Sequence, residues 1–267
     1  MFKLPSLSRR LMLIAGIVVL TASAVHAGAL DTIKQTKKVR VGIDLAIPPY
    51  GMVDDKLQPA GVDVDVARLI AADLGATLDI VSTTGPTRIP NLQTNKADLI
   101  ISTLSITPER QKVIDFSVPY AGLQTIVFAP KATKIAGVGD LAGKSVAVTR
   151  STTQDTHLTR EAKGAQIVRY EDDATLVTAG VTGQADIIGA APMQLHAVNQ
   201  KNPDRQMEAK FVLSNFGLGI GMRKDEPELL AWVNAWVKTN LNNGKLNAIY
   251  KKHFGRDLPD EIVAGGK

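Results

Sequence analysis

The chain has 267 residues, 45% of them hydrophobic and 21% charged, too apolar for wholesale disorder and long enough for one large or two modest domains. Its 31 Lys and Arg against 26 Asp and Glu give +5, but Lys3, Arg9 and Arg10 lie in an acid-free N-terminal segment, leaving 28 cations against 26 anions beyond it. So small an excess is no argument for a nucleic-acid partner, and zero cysteines exclude disulfides, thiolate metal sites and thiol nucleophiles.

Residues 1–27 read as a secretory signal. Three cations precede an apolar run over residues 11–20, and small residues end in Ala24-Val25-His26-Ala27. The run falls well short of the ~20 residues that a membrane-spanning helix needs. Cleavage is expected after Ala27, with Ala24 as the second candidate, and no cysteine is present there for lipid attachment.

Strand and helix patterns then alternate. Val39-Arg40-Val41-Gly42-Ile43 reads as a strand, and residues 62–74 carry Val66, Leu69, Ile70 and Leu74 at helical spacing before Gly75. Leu78-Asp79-Ile80-Val81 is a strand, residues 89–95 a short helix, and Ala97-Asp98-Leu99-Ile100-Ile101 a buried strand. The pattern restarts with a strand at 144–148, a helix at 152–163, a strand at 166–168, a helix at 173–182 and a strand at 185–188. Such alternation implies parallel sheets covered by helices. Asn95-Lys96-Ala97-Asp98-Leu99-Ile100 and Gly183-Gln184-Ala185-Asp186-Ile187-Ile188 echo each other, either by coincidence or because two similar α/β lobes follow one another. A Gly-rich strand at 215–222 precedes two amphipathic helices whose apolar stripe holds Trp232 and Trp236, read as core. The tail from Asp257 is expected to be loose.

Several segments in this order resemble the extracellular solute-binding proteins of polar amino-acid ABC transporters. They are Val41-Gly42-Ile43-Asp44 with Pro48-Pro49-Tyr50, Gly61-Val62-Asp63-Val64-Asp65-Val66-Ala67, and Ile89-Pro90-Asn91-Leu92 leading to Ala97-Asp98-Leu99-Ile100. Ser105-Ile106-Thr107-Pro108-Glu109-Arg110 and Asp115-Phe116-Ser117-Val118-Pro119-Tyr120 close the first block. Asp140-Leu141-Ala142-Gly143-Lys144-Ser145-Val146-Ala147-Val148 and Ser151-Thr152-Thr153 carry the second. The resemblance implies a two-lobed periplasmic-binding-protein fold of type II, each lobe a mainly parallel sheet flanked by helices. It places lobe one at 28–122 and 221–267 and lobe two at 123–220, with hinge crossings near 121–125 and 217–220. It also implies a periplasmic monomer that closes on a ligand by hinge bending and hands it to an inner-membrane ABC permease.

The residues give that cleft a chemistry. Ser102, Thr103, Ser105 and Arg110 follow the buried 97–101 strand, at the sheet edge where α/β folds bind ligands. Arg110 offers a planar fork for a carboxylate, or a surface ion pair. Ser151 and Thr153 open a helix whose N-terminus favours an anion, or they merely cap it. The resemblance places the carboxylate clamp on Arg110, Ser105 and Thr153, and turns Asp44 toward the ligand's distal or cationic part; a solvated turn is the other reading of Asp44. Ile47 and Tyr50 are expected to wall the pocket, with core as their alternative. Asp63 and Asp65 are expected to cap their helix, and Arg88 and Arg150 to flank the cleft. Where the family places an aspartate for the ligand's α-ammonium, this chain has Ala191, so the ligand either lacks that group or meets another carboxylate, Asp44 first. No metal, cofactor or catalytic motif occurs: His157, His196 and His253 stand alone. The competing reading is a cyclohexadienyl dehydratase-like enzyme on the same scaffold, which needs a general acid in the cleft.

Overall fold

The computed structural model describes residues 28–265, so the predicted secretory leader at 1–27 lies outside the described residues. The chain opens with α1 (Ala29–Thr36) and β1 (Lys38–Ile43), then a short hairpin of β2 (Met52–Val53) and β3 (Pro59–Ala60). Next come α2 (Val62–Asp73), β4 (Thr77–Ser82), α3 (Arg88–Gln93), β5 (Leu99–Ile100), α4 (Pro108–Gln111) and β6 (Asp115–Phe116). β7 (Ala121–Pro130), β8 (Ser145–Thr149), α5 (Thr153–Glu161), β9 (Gln166–Tyr170), α6 (Asp173–Thr182), β10 (Ile188–Ala190), α7 (Pro192–Lys201) and β11 (Met207–Leu218) follow. β12 (Gly221–Met222), α8 (Pro227–Asn242), α9 (Lys245–Phe254) and α10 (Asp260–Ala264) end the chain.

Two five-stranded sheets result, ordered β4-β1-β5-β12-β6 and β11-β7-β10-β8-β9. In each, three neighbouring strands are parallel, as the alternating pattern predicts, and the strands that carry the chain between sheets pair antiparallel. The two echoing segments enter β5 and β10, the middle strand of each sheet. The chain passes between sheets after β6 and again after β11, where β7 and β11 run side by side with Ala121 opposite Leu218.

The Gly-rich run read as one strand is two, β11 and β12, broken at residues 219–220. The break is held by Gly219 N–H to the Leu104 carbonyl at 3.0 Å and by Ile220 N–H to Ser117 Oγ at 2.9 Å. A Cβ at Gly219 would stand 2.9 Å from Ile106 Cγ1, and one at Gly221 2.7 Å from Leu104 Cδ2, so glycine is what lets the crossing lie this close.

Period-two side chains explain the second sheet's burial. Ile126 and Phe128 of β7 pack with Leu176 and Val198 of α6 and α7, while Val127 packs with Leu158 of α5 on the other face. The first sheet packs Val39, Val41 and Ile43 with Val66 and Ile70 of α2 and Val233 and Trp236 of α8. Trp236 is buried and donates Nε1–H to Asp73 at 2.7 Å, while Trp232 is partly buried on the same core. The tail departs from expectation: Leu258 and Ile262 are buried in that core, and Leu258 N–H reaches Asn247 Oδ1 at 2.8 Å. Two apolar anchors within five residues tie down a terminus that would otherwise be loose.

Candidate functional site

The loops after β1, β4 and β5 face those around β8, β9 and β10 across a narrow cavity. One side carries Ile47, Arg88, Thr103, Ser105 and Arg110; the other carries Thr152, Thr153, Gln154, Asp173, Ala191, Met193 and Gln194; Leu123 of β7 lies between. Both sets stand near the C-terminal ends of parallel strands, where helix N-termini point their free N–H groups.

Arg110 follows Thr107, whose hydroxyl caps the short α4. Its guanidinium donates to the Ser105 carbonyl at 3.0 Å and, across the cleft, to the Ser151 carbonyl at 3.1 Å. Burial pushes Arg110 down to about 10, with nearby Arg88 adding to the effect, so it remains a cation at neutral pH. Opposite it, α5 begins. Thr152 is the cap: its Oγ1 accepts from Asp155 N–H at 3.2 Å and donates to the Thr149 carbonyl at 2.6 Å. Capping is therefore real, but it falls on Thr152 and answers one N–H, while Thr153 and Gln154 line the cavity on the same turn.

Arg88, expected to flank the cleft, is 4% exposed and on its wall. It donates to Thr103 Oγ1 at 3.3 Å and lies 3.9 Å from Asp44 Oδ2, while its Nε is buried with no hydrogen-bond partner. Asp44 stands behind it rather than on the wall. Asp44 Oδ1 accepts from Ala46 N–H at 3.0 Å, Oδ2 is buried with no hydrogen-bond partner, and burial raises the carboxyl to about 6 against the pull of Arg88. Ser102 is one layer back as well, accepting from Asp44 N–H at 3.0 Å.

Asp63 is not a cap. Gly61 holds that position with no side-chain bond, and Asp63 is buried, accepting from Tyr120 Oη at 2.7 Å and Thr103 N–H at 2.9 Å. Burial lifts it to about 7 against those two bonds. They hold Thr103 on the wall at φ +43°, costly for a β-branched residue. Asp65 does not cap either; it accepts from Lys252 and His253 at 2.8 Å each, fastening α9 to α2.

Tyr50 is not on this wall. Its ring packs edge-on to Phe254 at 5.1 Å, and its hydroxyl donates to the Gly122 carbonyl at 2.7 Å, bracing the start of β7. Ser151 is exposed at the mouth, offering its carbonyl to Arg110, and Arg150 is exposed and paired with Glu171 at 2.8 Å.

Asp173 is the residue the sequence reading overlooked. It was taken only as a helix start, yet it is 4% exposed and on the wall. Thr149 Oγ1 donates to its Oδ1 at 2.6 Å and Gln194 Nε2 to the same oxygen at 3.3 Å. The available signal was its place just after β9, matching that of Asp44 after β1. Ala191 caps α7 on the same wall, its N–H held by Gln194 Oε1 at 3.2 Å.

The L-cystine-binding protein TcyJ of Escherichia coli (strain K12) is 28% identical over 248 residues, 92% of each chain. A crystal structure of a mutant of ArgBP from T. maritima matches with a TM-score of 0.78 at 33% identity, covering 85% of this chain and 99% of that one. The ancestral amino acid-binding protein AncCDT-1, a precursor of cyclohexadienyl dehydratase, matches at 0.75 and 33% identity, covering 85% and 100%. The family model for bacterial extracellular solute-binding proteins, family 3, matches residues 39–256, from β1 past α9. With two sheets joined by two strands around one polar cleft, the chain belongs to the bacterial extracellular solute-binding proteins of family 3.

Proposed function

We propose that this protein captures a small amino-acid-like solute in the cleft and delivers it to an inner-membrane ABC importer. It does so in the periplasm, as a monomer exported by the leader at 1–27, with lobe one at 28–122 and 221–267 and lobe two at 123–220. The observation that carries this reading is one cavity lined by Arg110 on one side and by the first turn of α5 and Asp173 on the other. A carboxylate is gripped by the Arg110 fork and by Ser105 and the α5 N-terminus. The α-ammonium, which Ala191 cannot receive, is taken by Asp173, a carboxylate on the wall, rather than by Asp44, which has Arg88 in front of it. A buried ammonium without such a partner would cost several kcal/mol. Arg88 adds a second guanidinium on the Arg110 side of the same cavity, which suits a solute with a second anionic group.

A dehydratase would need a proton donor on the wall. Asp173 Oδ1 accepts from Thr149 and Gln194, which fixes the side chain as a hydrogen-bond acceptor on the wall and suits it to receiving a ligand's ammonium. The test is a thermal-shift screen in which each amino acid is paired with its deamino or 2-oxo analogue, on wild type and Asp173→Asn. A ligand at 100 times its Kd adds about 2.7 kcal/mol. Stabilisation by an amino acid that its deamino analogue lacks, and that Asp173→Asn removes, is expected. Equal stabilisation by both members of a pair would refute the Asp173 assignment, and aromatic product from prephenate or arogenate would refute the binding-only reading.

A further inference from the structure

Gly85 opens the single 3₁₀ turn between β4 and α3, at residues 85–87. The turn is stiff. Pro86 sits inside it, Thr84 N–H donates to Thr87 Oγ1 at 2.8 Å, and the Thr83 and Thr87 hydroxyls meet at 2.9 Å. Gly85 is buried, but what buries it is the other side of the cleft. A Cβ built there would stand 2.9 Å from the Arg150 carbonyl oxygen, 3.3 Å from Thr149 Cγ2 and 3.6 Å from Thr152 Cγ2. That opposing surface is stiff too. Arg150 N–H is bound to the Tyr170 carbonyl at 2.8 Å, Ser151 N–H to Asp155 Oδ2 at 3.0 Å, and Thr152 Oγ1 to the Thr149 carbonyl at 2.6 Å.

We infer that Gly85 is the stereochemical stop that sets how far the cleft closes, and so an affinity-determining residue that never needs to touch the solute. Its φ is not in the left-handed region, so handedness does not demand glycine there, whereas the space opposite does. A methyl group meets a backbone oxygen, which cannot rotate away, so the two sides must stay apart. Separation lengthens the 3.1 Å bond from Arg110 to the Ser151 carbonyl and withdraws the first turn of α5 from Arg110. The open arrangement has no such clash, so a larger residue penalises closure alone. The inference holds whichever solute the cleft takes, and it fails separately from the assignment of Asp173.

The chain's lack of cysteine makes the test direct. Spin labels on Lys112→Cys and Lys163→Cys, both exposed and on opposite sides of the cleft, report the distance between the two sides in the mature chain. Distances are measured by pulsed electron resonance alone and with the twenty standard amino acids together at about 1 mM each, in wild type, Gly85→Ala and Gly85→Leu. The short-distance population is expected to fall roughly tenfold or more in Gly85→Leu and to a smaller degree in Gly85→Ala. Thermal unfolding without the mixture should be unchanged in Gly85→Ala, which serves as the fold-safe variant. An unaltered short-distance population in both variants overturns the inference.

Discussion

The Asp44→Asn substitution separates burial from charge at the base of the cleft. Asp44 Oδ1 takes its bond from Ala46 N–H, which an amide oxygen can also accept, whereas Oδ2 has no hydrogen-bond partner to lose. In the folded chain burial raises this carboxyl from 3.8 to about 6. The native state therefore holds a proton more tightly than the unfolded chain does between those two values. Stability from this group is fully present below about pH 4, declines as pH rises toward 6, and stays lost above that. At 1.36 kcal/mol per pH unit, that gap corresponds to about 3 kcal/mol. Asparagine has no proton to lose, so the variant gains on wild type by about that much between pH 4 and pH 7.5. Asp63, raised to about 7, contributes a fall of the same sign in both proteins and largely cancels in the difference. Urea unfolding of both proteins at pH 4, 5, 6 and 7.5, with the slope checked for constancy, reads the effect. An offset between the two proteins that is the same at every pH would show that Asp44 is not held as a high-pKa buried carboxyl, and the reasoning would fall.

Three further outcomes are expected. Arg110→Ala abolishes capture of any carboxylate-bearing solute found in the screen, a loss on the order of 2–5 kcal/mol, and Arg110→Lys also binds poorly because an ammonium lacks the fork; calorimetry showing unchanged affinity would refute the clamp. Ala191→Asp puts a carboxylate on the same wall as Asp173 and shifts preference toward amino acids over their deamino analogues in paired thermal shifts; untouched preference means that residue 191 does not face the ligand's ammonium. Tyr120→Phe removes the 2.7 Å bond to buried Asp63, and the loss of about 1–3 kcal/mol in urea unfolding is greatest above pH 7, where that carboxylate is charged; a loss equal at pH 5 and pH 8 would place the cost in packing instead.

Local pattern carried much of the architecture. Alternating strand and helix periods, Thr107 ahead of Pro108, and Gly183 after α6 are decided by near neighbours, so two α/β units and the hydroxyl-rich loops beside Arg110 were readable from the chain. The echo between 95–100 and 183–188 was readable for the same reason, since both lead into a middle strand that is buried on its two faces. What a carboxylate does was not readable, because its role depends on which distant donors the fold brings to it. Asp63, Asp65 and Asp173 all sit in the first turn of a helix and look alike as helix starts. The fold gives Asp63 the Tyr120 hydroxyl, Asp65 the Lys252 and His253 cations, and Asp173 the cleft. The relative placement of Asp44 and Arg88 was not readable either: Arg88 lines the cavity, and Asp44, at the end of β1, lies 3.9 Å from its guanidinium and off that lining. The need for glycine at 85 arises only when β8 and α5 arrive opposite, with an Arg150 carbonyl where a side chain would begin. Sequence determines the period and the cap because those interactions span a few residues, whereas burial, charge pairing and clearance across the cleft are set by contacts dozens of residues apart.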